Sequence, residues 1–276
     1  MKILSWNVAG IRACLKKGGL DFLLSADYGK VCIQETKAEE SQVQLSEEFK
    51  TAYPHRFWKS SGGVTQRKGL SGTAIWSKTA PIREISPPAF DTEGRITAVE
   101  FKNFNIVTVY TPNSQGPESD RFIYRVTEWD PQFRAYIVAL KEAKNTIVCG
   151  DFNAVHKDVD MYNTAKYKNY AAGLLDEERR EFQEHLDAGF IDAFRKTCKE
   201  PHQYTYWDQQ RPIMRKKNYG WRIDYFLVDQ KRASQIKDCG IMPDQMGSDH
   251  CPIWLDFNEK VKKKKKLRIV TEFSKK

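Results

Sequence analysis

The run TIVCGDFN at residues 146–153 decides the fold class, because an apolar strand pattern in it ends abruptly in polar side chains. Residues 147–149 are typical of a buried strand, and Gly150 allows the backbone to change direction before Asp151 and Asn153. Asp151 and Asn153 are two positions apart, so an extended chain would point both side chains the same way. An Asx turn that closes the strand is the alternative interpretation, since Asp and Asn are common in such turns.

Three further sets of polar side chains lie at the ends of apolar strand-like runs, two after a run and one before the run CPIWLDF. Carboxylates, amides and an imidazole each need water, a partner or a metal. A folded chain therefore seldom places them at several separate strand ends unless those ends meet at one site. We therefore expect these strand ends to converge on one site, and their residue types indicate a phosphodiesterase that uses a hard metal ion. The further polar sets are Trp6-Asn7, Gln34-Glu35-Thr36 and Ser248-Asp249-His250.

Strand-like and helix-like segments alternate along most of the chain. A helix is predicted from Asp130 to Lys144, with Asp130 as its N-cap and Pro131 at the first helical position. A second helix is predicted to begin at Asp176 and to end before Gly189. The pattern favours two stacked β-sheets with helices outside them. The strand-like runs are KILSWNV, KVCIQE, GTAIWS, RITAVEF, FNIVTVYTPN, TIVCGDFN, WRIDYFLVD and CPIWLDF.

Most of the formal net charge of +9 lies in the last residues of the 276-residue chain. Residues 259–276 contain eight Lys and one Arg against two Glu, which gives +7 and leaves +2 for residues 1–258. We therefore predict a catalytic domain over 1–258 and a basic, Lys-rich C-terminal tail over 259–276. Such charge blocks are usually solvated and flexible. A nuclear-import signal at lysines 262–266 and an arm that contacts DNA phosphates are the functional alternatives.

Cysteine usage and hydropathy bear on the compartment. The six cysteines form no C-x-x-C pair, and several lie inside apolar strand-like runs. They are typical of buried or free thiols in a reducing compartment, and not of a disulfide framework or a zinc site. No apolar run approaches the ~18 residues of a membrane helix, and no secretory leader precedes the first strand. These features predict an intracellular protein, cytosolic or nuclear, with no membrane partner.

The chemistry of the side chains suggests roles at the strand ends. Asp151 suits a base that takes a proton from water, and Asn153 suits a neutral donor to phosphoryl oxygens. Glu35 follows an apolar run as a carboxylate ligand for Mg²⁺ would, and a solvated strand end is the alternative. His250 is able to donate to a phosphate oxygen if Asp224 fixes its tautomer, and a structural histidine is the alternative.

The ordered series of motifs resembles the exonuclease III family of apurinic/apyrimidinic (AP) endonucleases, within the deoxyribonuclease I-like endonuclease/exonuclease/phosphatase superfamily. The resemblance runs from about residue 2 to residue 257, and the series is more specific than any single motif. WRIDYFLV and GFIDAFR favour the AP-endonuclease branch over phosphoinositide phosphatases, sphingomyelinases or deadenylases. The matching segments are SWNVAGIRA, IQETK, YTPNS, GDFNAVHKDVDMYN, EERREFQEHLDAGFIDAFR, YTYW, GWRIDYFLV and GSDHCPI.

The resemblance implies an α+β fold, a four-layer α/β sandwich in which two mixed β-sheets pack face to face and are flanked by helices. It also implies roles for individual residues. The implied catalytic set is Tyr110, Asp151, Asn153, Asp224 and His250. The implied metal-associated set is Asn7, Glu35, Asp151, Asn153, Asp249 and His250. The implied DNA-contacting set is Asn113, Tyr206, Trp221 and Ile223. The last three of these resemble an apolar pocket for a flipped abasic sugar, and core packing is the alternative for them.

The activity that the resemblance implies is Mg²⁺-dependent hydrolysis, with Mn²⁺ as a substitute ion, of the DNA backbone 5′ to an abasic site. The implied partner is duplex DNA with abasic sites or damaged 3′ ends, trimmed from the 3′ end and bound by a monomer. A phosphodiesterase of another branch, such as an RNA 3′-exonuclease, and a catalytically decayed DNA-binding protein are the alternatives. Ala9 stands where the family usually has Asp or Asn near the metal. Residues 113–116 lack the arginine that some members insert into the duplex.

Overall fold

The computed structural model describes residues 1–61 and 69–259, so only Glu259 of the predicted basic tail lies within the described residues. Its strands are β1 (Lys2–Asn7), β2 (Lys30–Gln34), β3 (His55–Lys59), β4 (Thr73–Ser77), β5 (Arg83–Ile85), β6 (Ile96–Glu100), β7 (Asn105–Tyr110), β8 (Thr146–Asp151), β9 (Phe190–Asp192), β10 (Asp224–Asp229), β11 (Ile236–Ile241) and β12 (Ile253–Phe257). They form two six-stranded sheets. The first sheet has the order β11-β12-β1-β2-β4-β3, and the second has the order β5-β6-β7-β8-β10-β9.

Each sheet contains one parallel pair among antiparallel neighbours. Strands β1 and β2 are parallel, with Asn7 opposite Gln34, and strands β7 and β8 are parallel, with Tyr110 opposite Asp151. Because parallel strands end at the same edge of a sheet, each pair delivers its last residues together. Both sheets therefore carry polar strand ends at one edge, as the polar ends of the apolar runs predict.

The helices are α1 (Ile11–Lys16), α2 (Phe22–Ser25), α3 (Glu47–Ala52), α4 (Asp120–Tyr124), α5 (Asp130–Ala143), α6 (Thr164–Tyr167), α7 (Asp176–Asp187), α8 (Ala193–Thr197) and α9 (Ile213–Lys216). Helices α1 to α3 cover the outer face of the first sheet, and α5 and α7 cover the outer face of the second. Between the sheets, Ile3 and Ile75 of the first pack in one cluster with Ile147 and Phe226 of the second. The predicted four-layer sandwich is confirmed.

The prediction that Asp130 caps a helix is wrong. A π-helical segment, Arg125–Trp129, joins α4 to α5, and Asp130 itself has helical angles of φ −61° and ψ −43°. Proline 131 has no N–H for the carbonyl four residues earlier and its ring crowds that carbonyl, which explains a wider turn at this point. The Asp130 carboxylate pairs with Arg125 at 3.3 Å instead of capping.

Other predicted elements agree with the structure. Helix α7 begins at Asp176, and Gly189, with φ 94°, follows its end. All six cysteines are free, and five of them are buried. Strands β3, β5, β9 and β11 are not in the predicted set. Strands β5 and β9 are only three residues long, and β11 pairs with a register shift near Asp238. In the described ranges 1–61 and 69–259, no helix is long and apolar enough to cross a membrane.

Candidate active site

A polar pocket of about 390 Å³ opens where the strand ends of the two sheets meet. The first sheet and the turns that follow its strands contribute Asn7, Glu35, Asp249 and His250. Strands β7 and β8 of the second sheet contribute Tyr110 and Asp151 at their ends. The lining residues are Asn7, Glu35, Tyr110, Asn113, Asp151, Asn153, Ala171, Ala172, Gly173, Tyr206, Trp221, Ile223, Asp249 and His250. Every sequence-predicted site residue except Asp224 lines this pocket, and Asp224 contacts His250 directly behind it.

Left-handed backbone conformations end three of the strands at the site. The φ angles are 48° at Ala9, 57° at Glu35 and 46° at Asn153. Such angles are uncommon for residues other than glycine and cluster at functional sites. The expectation of extended chain through Asn153 is wrong, because its backbone N–H donates to Asp151 Oδ1 at 2.8 Å in an Asx turn. The turn nevertheless keeps both side chains on the pocket.

Asp151 lies at the centre of the contacts between the two sheets. Its Oδ2 accepts a hydrogen bond from Asn7 Nδ2 at 2.9 Å and lies 3.8 Å from His250 Nε2. Its side chain is 2% exposed. Burial raises the pKa of Asp151 to about 7 against the lowering effect of His250, and the neighbouring Asp224 carboxylate raises it further. The site therefore concentrates negative charge in a position that favours a proton or a cation.

His250 is held in one orientation by Asp224. The Nδ1 atom of His250 lies 2.8 Å from Asp224 Oδ2, and the imidazole is buried. Burial alone would lower the pKa of His250, but the carboxylates of Asp224 and Asp151 outweigh it and raise that pKa to about 10. Asp224 is the first residue of β10 and is opposite Asp151 in the register of β8. The Nε2 atom of a protonated His250 thus points its N–H toward Asp151 and the pocket.

Glu35 and Tyr110 connect the first sheet to the second on the other side of the pocket. The Tyr110 hydroxyl donates to Glu35 Oε1 at 2.8 Å, and Lys37 Nζ lies 3.2 Å from the same oxygen. Burial, with the negative charge of Glu35, raises the pKa of Tyr110 well above its usual value, so this hydroxyl stays protonated. Arg95 stacks its guanidinium 4.7 Å from the Tyr110 ring centroid and donates to its carbonyl at 3.0 Å.

The donors available to a metal ion fall into two groups. In the part of the chain that the structure describes, the ligand atoms of Asp151, Asp224 and His250 lie within 4.8 Å of one another. His250 and Asp224 are already paired through Nδ1, so this group suits proton handling. The carboxylates of Glu35 and Asp249 and the Asn7 amide form the second group, on the same pocket, and supply the oxygen atoms that Mg²⁺ prefers.

The apolar wall of the pocket consists of Tyr206, Trp221 and Ile223. Tyr206 forms isolated β-bridges to Trp221 and to His250, and its ring centroid lies 4.8 Å from the His250 ring. Ile223 is 5% exposed and also belongs to the core cluster that contains Leu174. Ile223 therefore both packs in the core and lines the pocket, so the two interpretations of this residue are compatible. Asn113 is placed at the pocket by a hydrogen bond from its Nδ2 to Asn153 Oδ1 at 3.2 Å.

Two features of the site were not predicted from the sequence. Residues 171–173 line the pocket, and Gly173, with φ 85°, lies so close to the loop after β8 that a Cβ there would be 3.1 Å from the Asn153 carbonyl oxygen. Arg125 is 1% exposed and donates to backbone oxygens of the same loop. The small residues 171–173 and an arginine such as Arg125 in a helical pattern match no known site motif, so the sequence alone does not indicate that they belong to the site.

Comparison of the chain with known proteins identifies its family. The model of the Endonuclease/Exonuclease/phosphatase family matches residues 4–250. The chain belongs to this family. An exodeoxyribonuclease of Bacillus subtilis is 40% identical over 262 residues, which cover 94% of this chain and 100% of the relative. The DNA repair nuclease APEX1 of Danio rerio is 40% identical over 260 residues, which cover 92% of this chain and 81% of the relative.

A solved structure supports the same assignment within the endonuclease/exonuclease/phosphatase family. The 3′ phosphatase NExo from Neisseria, bound to product DNA hairpin, superposes with a TM-score of 0.84 at 25% identity and covers 94% of this chain and 99% of that one. The predictions of family, of fold and of a hydrolytic enzyme are thereby confirmed. The roles of individual residues stay predictions.

Proposed function

We propose that this protein hydrolyses the DNA phosphodiester on the 5′ side of an abasic site in duplex DNA and leaves a 3′-hydroxyl, with Mg²⁺ as cofactor. Trimming of damaged 3′ ends belongs to the same proposal. The observation that carries it is the position of Asp151, whose Oδ2 faces Asn7 and His250 of the other sheet on a pocket that also holds Glu35. The names of relatives, an exodeoxyribonuclease and a DNA repair nuclease, support DNA as the substrate.

The chain's own residues supply proton transfer and orientation. Asp151 accepts a proton from the attacking water, while the Asn153 backbone N–H and the Asn7 amide fix its carboxylate. His250, oriented by Asp224, donates its Nε2–H to a non-bridging oxygen of the scissile phosphate. Tyr110 keeps its hydroxyl proton and lies at the same phosphate.

The metal-associated residues fit a hard divalent cation, because they offer carboxylate and amide oxygens at one end of the pocket. Glu35, Asn7 and Asp249 would hold Mg²⁺, and Mn²⁺ has the same preference for oxygen ligands. When bound, Mg²⁺ stabilises the charge that develops on the phosphoryl oxygens.

The wall of Tyr206, Trp221 and Ile223 supports selection for an abasic sugar. We expect this wall of three bulky side chains to exclude an intact base by its size. A nucleotide without a base costs less to unstack than a paired one, which adds to the selectivity. We expect the protein to bind duplex DNA as a monomer.

Cleavage of a duplex that carries a single abasic analogue, with and without EDTA, tests the proposal. We expect a single incision 5′ to the analogue that EDTA abolishes. Asp151→Asn keeps the shape of the side chain but removes the base, so turnover should fall by about 10²–10⁴. The exposed Asp244→Asn is the matched control and should leave turnover unchanged.

The outcomes separate the alternatives. Activity confined to RNA 3′ ends would favour another branch of the family. Tight DNA binding without any cleavage would favour a decayed enzyme. Turnover of Asp151→Asn within tenfold of wild type would remove Asp151 from the role of base.

A further inference from the structure

A connecting segment over residues 163–175, which contains α6, borders the pocket on the side of its apolar wall. Residues 171–173 line the pocket directly. The segment backbone is anchored by hydrogen bonds from Val155 N to Gly173 O at 2.8 Å and from Asn169 N to Leu174 O at 3.2 Å. Leu174 is fully buried. The segment therefore presents its outer residues at fixed positions beside the site.

Tyr170 lies at the outer edge of this segment, directly before the pocket-lining Ala171. It is 78% exposed, the largest exposure among the large hydrophobic side chains of residues 1–61 and 69–259. Single exposed hydrophobic residues are common on protein surfaces. Tyr170 differs in its position, because Tyr167 and Ala171 on either side of it in the sequence pack, with Trp221, against one apolar cluster that includes Ile223 of the pocket wall. An aromatic and apolar surface thus runs from the pocket to its rim.

Two lysines alternate with these aromatic residues in the run KYKNY at 166–170. Lys166 is exposed, and its Nζ lies 5.2 Å from the ring centroid of Tyr167. Among the residues that the structure describes, no carboxylate forms an ion pair with Lys166, whereas Lys168 is 3.3 Å from Asp176. Aromatic rings beside an exposed cation are the combination that proteins use to contact a nucleic-acid strand.

We propose that Tyr170 and Lys166 form a DNA-contact surface on the rim of the pocket. The Tyr170 ring packs against the nucleotide next to the one that enters the pocket, and Lys166 contacts a phosphate of the same strand. A nucleic acid is favoured over a protein partner because the surface is continuous with a phosphodiester site and carries an exposed cation. The proposal rests on the proposed function and adds a contact to it. The surface would provide a DNA contact in a chain whose residues 113–116 contain no arginine to insert into the duplex.

Binding of an abasic-analogue duplex in EDTA, followed by fluorescence anisotropy, tests the surface without turnover. We expect Tyr170→Ala to raise the Kd about tenfold, as loss of one stacked aromatic does, and Tyr170→Phe to stay within about twofold of wild type. Lys166→Gln should make the slope of log K against log salt shallower by about 0.9. At saturating DNA and Mg²⁺, kcat of all three variants should equal that of wild type.

Ile82→Ala is the matched control, because Ile82 is 59% exposed at the opposite end of the second sheet. The Ile82 N–H donates to Glu100 O, at the end of β6. The pocket lies near the other end of β6, where Ile96 pairs with Val109, the neighbour of Tyr110. We expect the Kd of Ile82→Ala to be unchanged. An unchanged Kd for Tyr170→Ala, or an equal effect of Ile82→Ala, overturns the surface while cleavage 5′ to the analogue still supports the proposed function. Wild type that binds DNA but does not cut it, with binding weakened by Tyr170→Ala, overturns the proposed function alone.

Discussion

The Arg125 guanidinium donates to the main-chain oxygen of Asn153 at 2.7 Å, and so joins the π-helical segment to the loop after β8. It also donates to Phe152 O at 2.7 Å and to the buried Glu178 at 2.9 Å. The extra residue per turn in the π segment coincides with the position of Arg125. We infer that this clamp fixes Asn153 in its left-handed conformation.

Replacement of Arg125 by lysine should therefore impair both folding and catalysis. A lysine ammonium is a single point of charge and does not reproduce the fork that serves two carbonyls and two carboxylates at once. We expect Arg125→Lys to lower the free energy of unfolding by about 3 kcal/mol and kcat at least tenfold. Denaturant unfolding and single-turnover cleavage of an abasic duplex measure the two effects.

Arg134→Lys is the control for that prediction, because Arg134 of α5 also pairs with a glutamate of α7, Glu181, at 2.6 Å, but on a partly exposed surface. We expect less than about 1 kcal/mol change in stability and no change in kcat. Folded Arg125→Lys protein with the turnover of wild type would show that the loop after β8 keeps its conformation without the clamp.

The backbone conformation of Ala9 should affect the stability of the protein. Ala9 has φ 48°, a conformation that costs L-residues about 1–2 kcal/mol and that Asn tolerates better than Ala. Ala9→Asn should raise the free energy of unfolding by about 0.5 kcal/mol. The same change at the exposed, helical Ala13 should lower it, since Asn is a poorer helix former than Ala. Equal signs at both positions would contradict the presence of strain at Ala9.

A carboxylate at position 9 tests its distance from the metal. Ala9→Asp adds negative charge near Asn7 and Glu35, so it should lower the Mg²⁺ concentration for half-maximal activity, whereas Ala9→Asn should leave it close to wild type. The maximal rate should stay within about tenfold, because Asp151 and Asn153 are unchanged. A Mg²⁺ titration on an abasic duplex decides the matter, and identical half-saturation for all three proteins would place position 9 outside the reach of the metal.

His185 should make the protein less stable in mild acid. It is buried among Phe133, Phe152 and Phe182, and burial lowers its pKa to about 3. The unfolded state, with a pKa near 6.5, binds a proton that the folded state refuses, so stability is lost as pH falls from about 6.5 toward 3. Between pH 7.5 and 5.5 this amounts to about 1.4 kcal/mol.

The variant His185→Phe isolates that contribution. Urea unfolding at pH 7.5 and pH 5.5 should show a drop in stability that is about 1.4 kcal/mol smaller in His185→Phe than in wild type. The difference between proteins matters, because Asp130, with a pKa raised by burial to about 6, acts in the opposite direction in both. His55→Phe on the edge strand β3 serves as the control and should follow wild type. Parallel pH dependence of His185→Phe and wild type would contradict the assignment.

The basic tail remains a prediction, since residues 260–276 lie outside the described part of the chain. If the tail is an electrostatic arm, deletion of 259–276 should weaken DNA binding and make the slope of log K against log salt shallower by about 0.9 for each phosphate that the arm neutralises. Catalysis at saturating DNA should not change. An unchanged slope, together with a nuclear reporter that loses its localisation, would leave the import signal as the function of the tail.

The convergence of strand ends was predictable because buried polar groups must find partners. Asp224 in one apolar run and His250 just before another are 2.8 Å apart for this reason. The clamp by Arg125 was not predictable, because an arginine in a helical pattern normally faces solvent. Its burial depends on Glu178, which is 53 residues away in the sequence. The left-handed turn at Glu35 was equally hidden, since no glycine marks it and tertiary contacts alone impose it.

The division of the site between two sheets also has a consequence for biosynthesis. Trp6 Nε1 donates to His250 O at 3.1 Å across 244 positions of sequence, and β1 pairs with β12, the last strand of residues 1–61 and 69–259. A nascent chain on the ribosome lacks Asp249, His250 and the strand that holds them until nearly the whole domain has been made. Partly synthesised chains are therefore unable to assemble the proposed cutting centre. The topology itself protects DNA from unfinished copies of this protein.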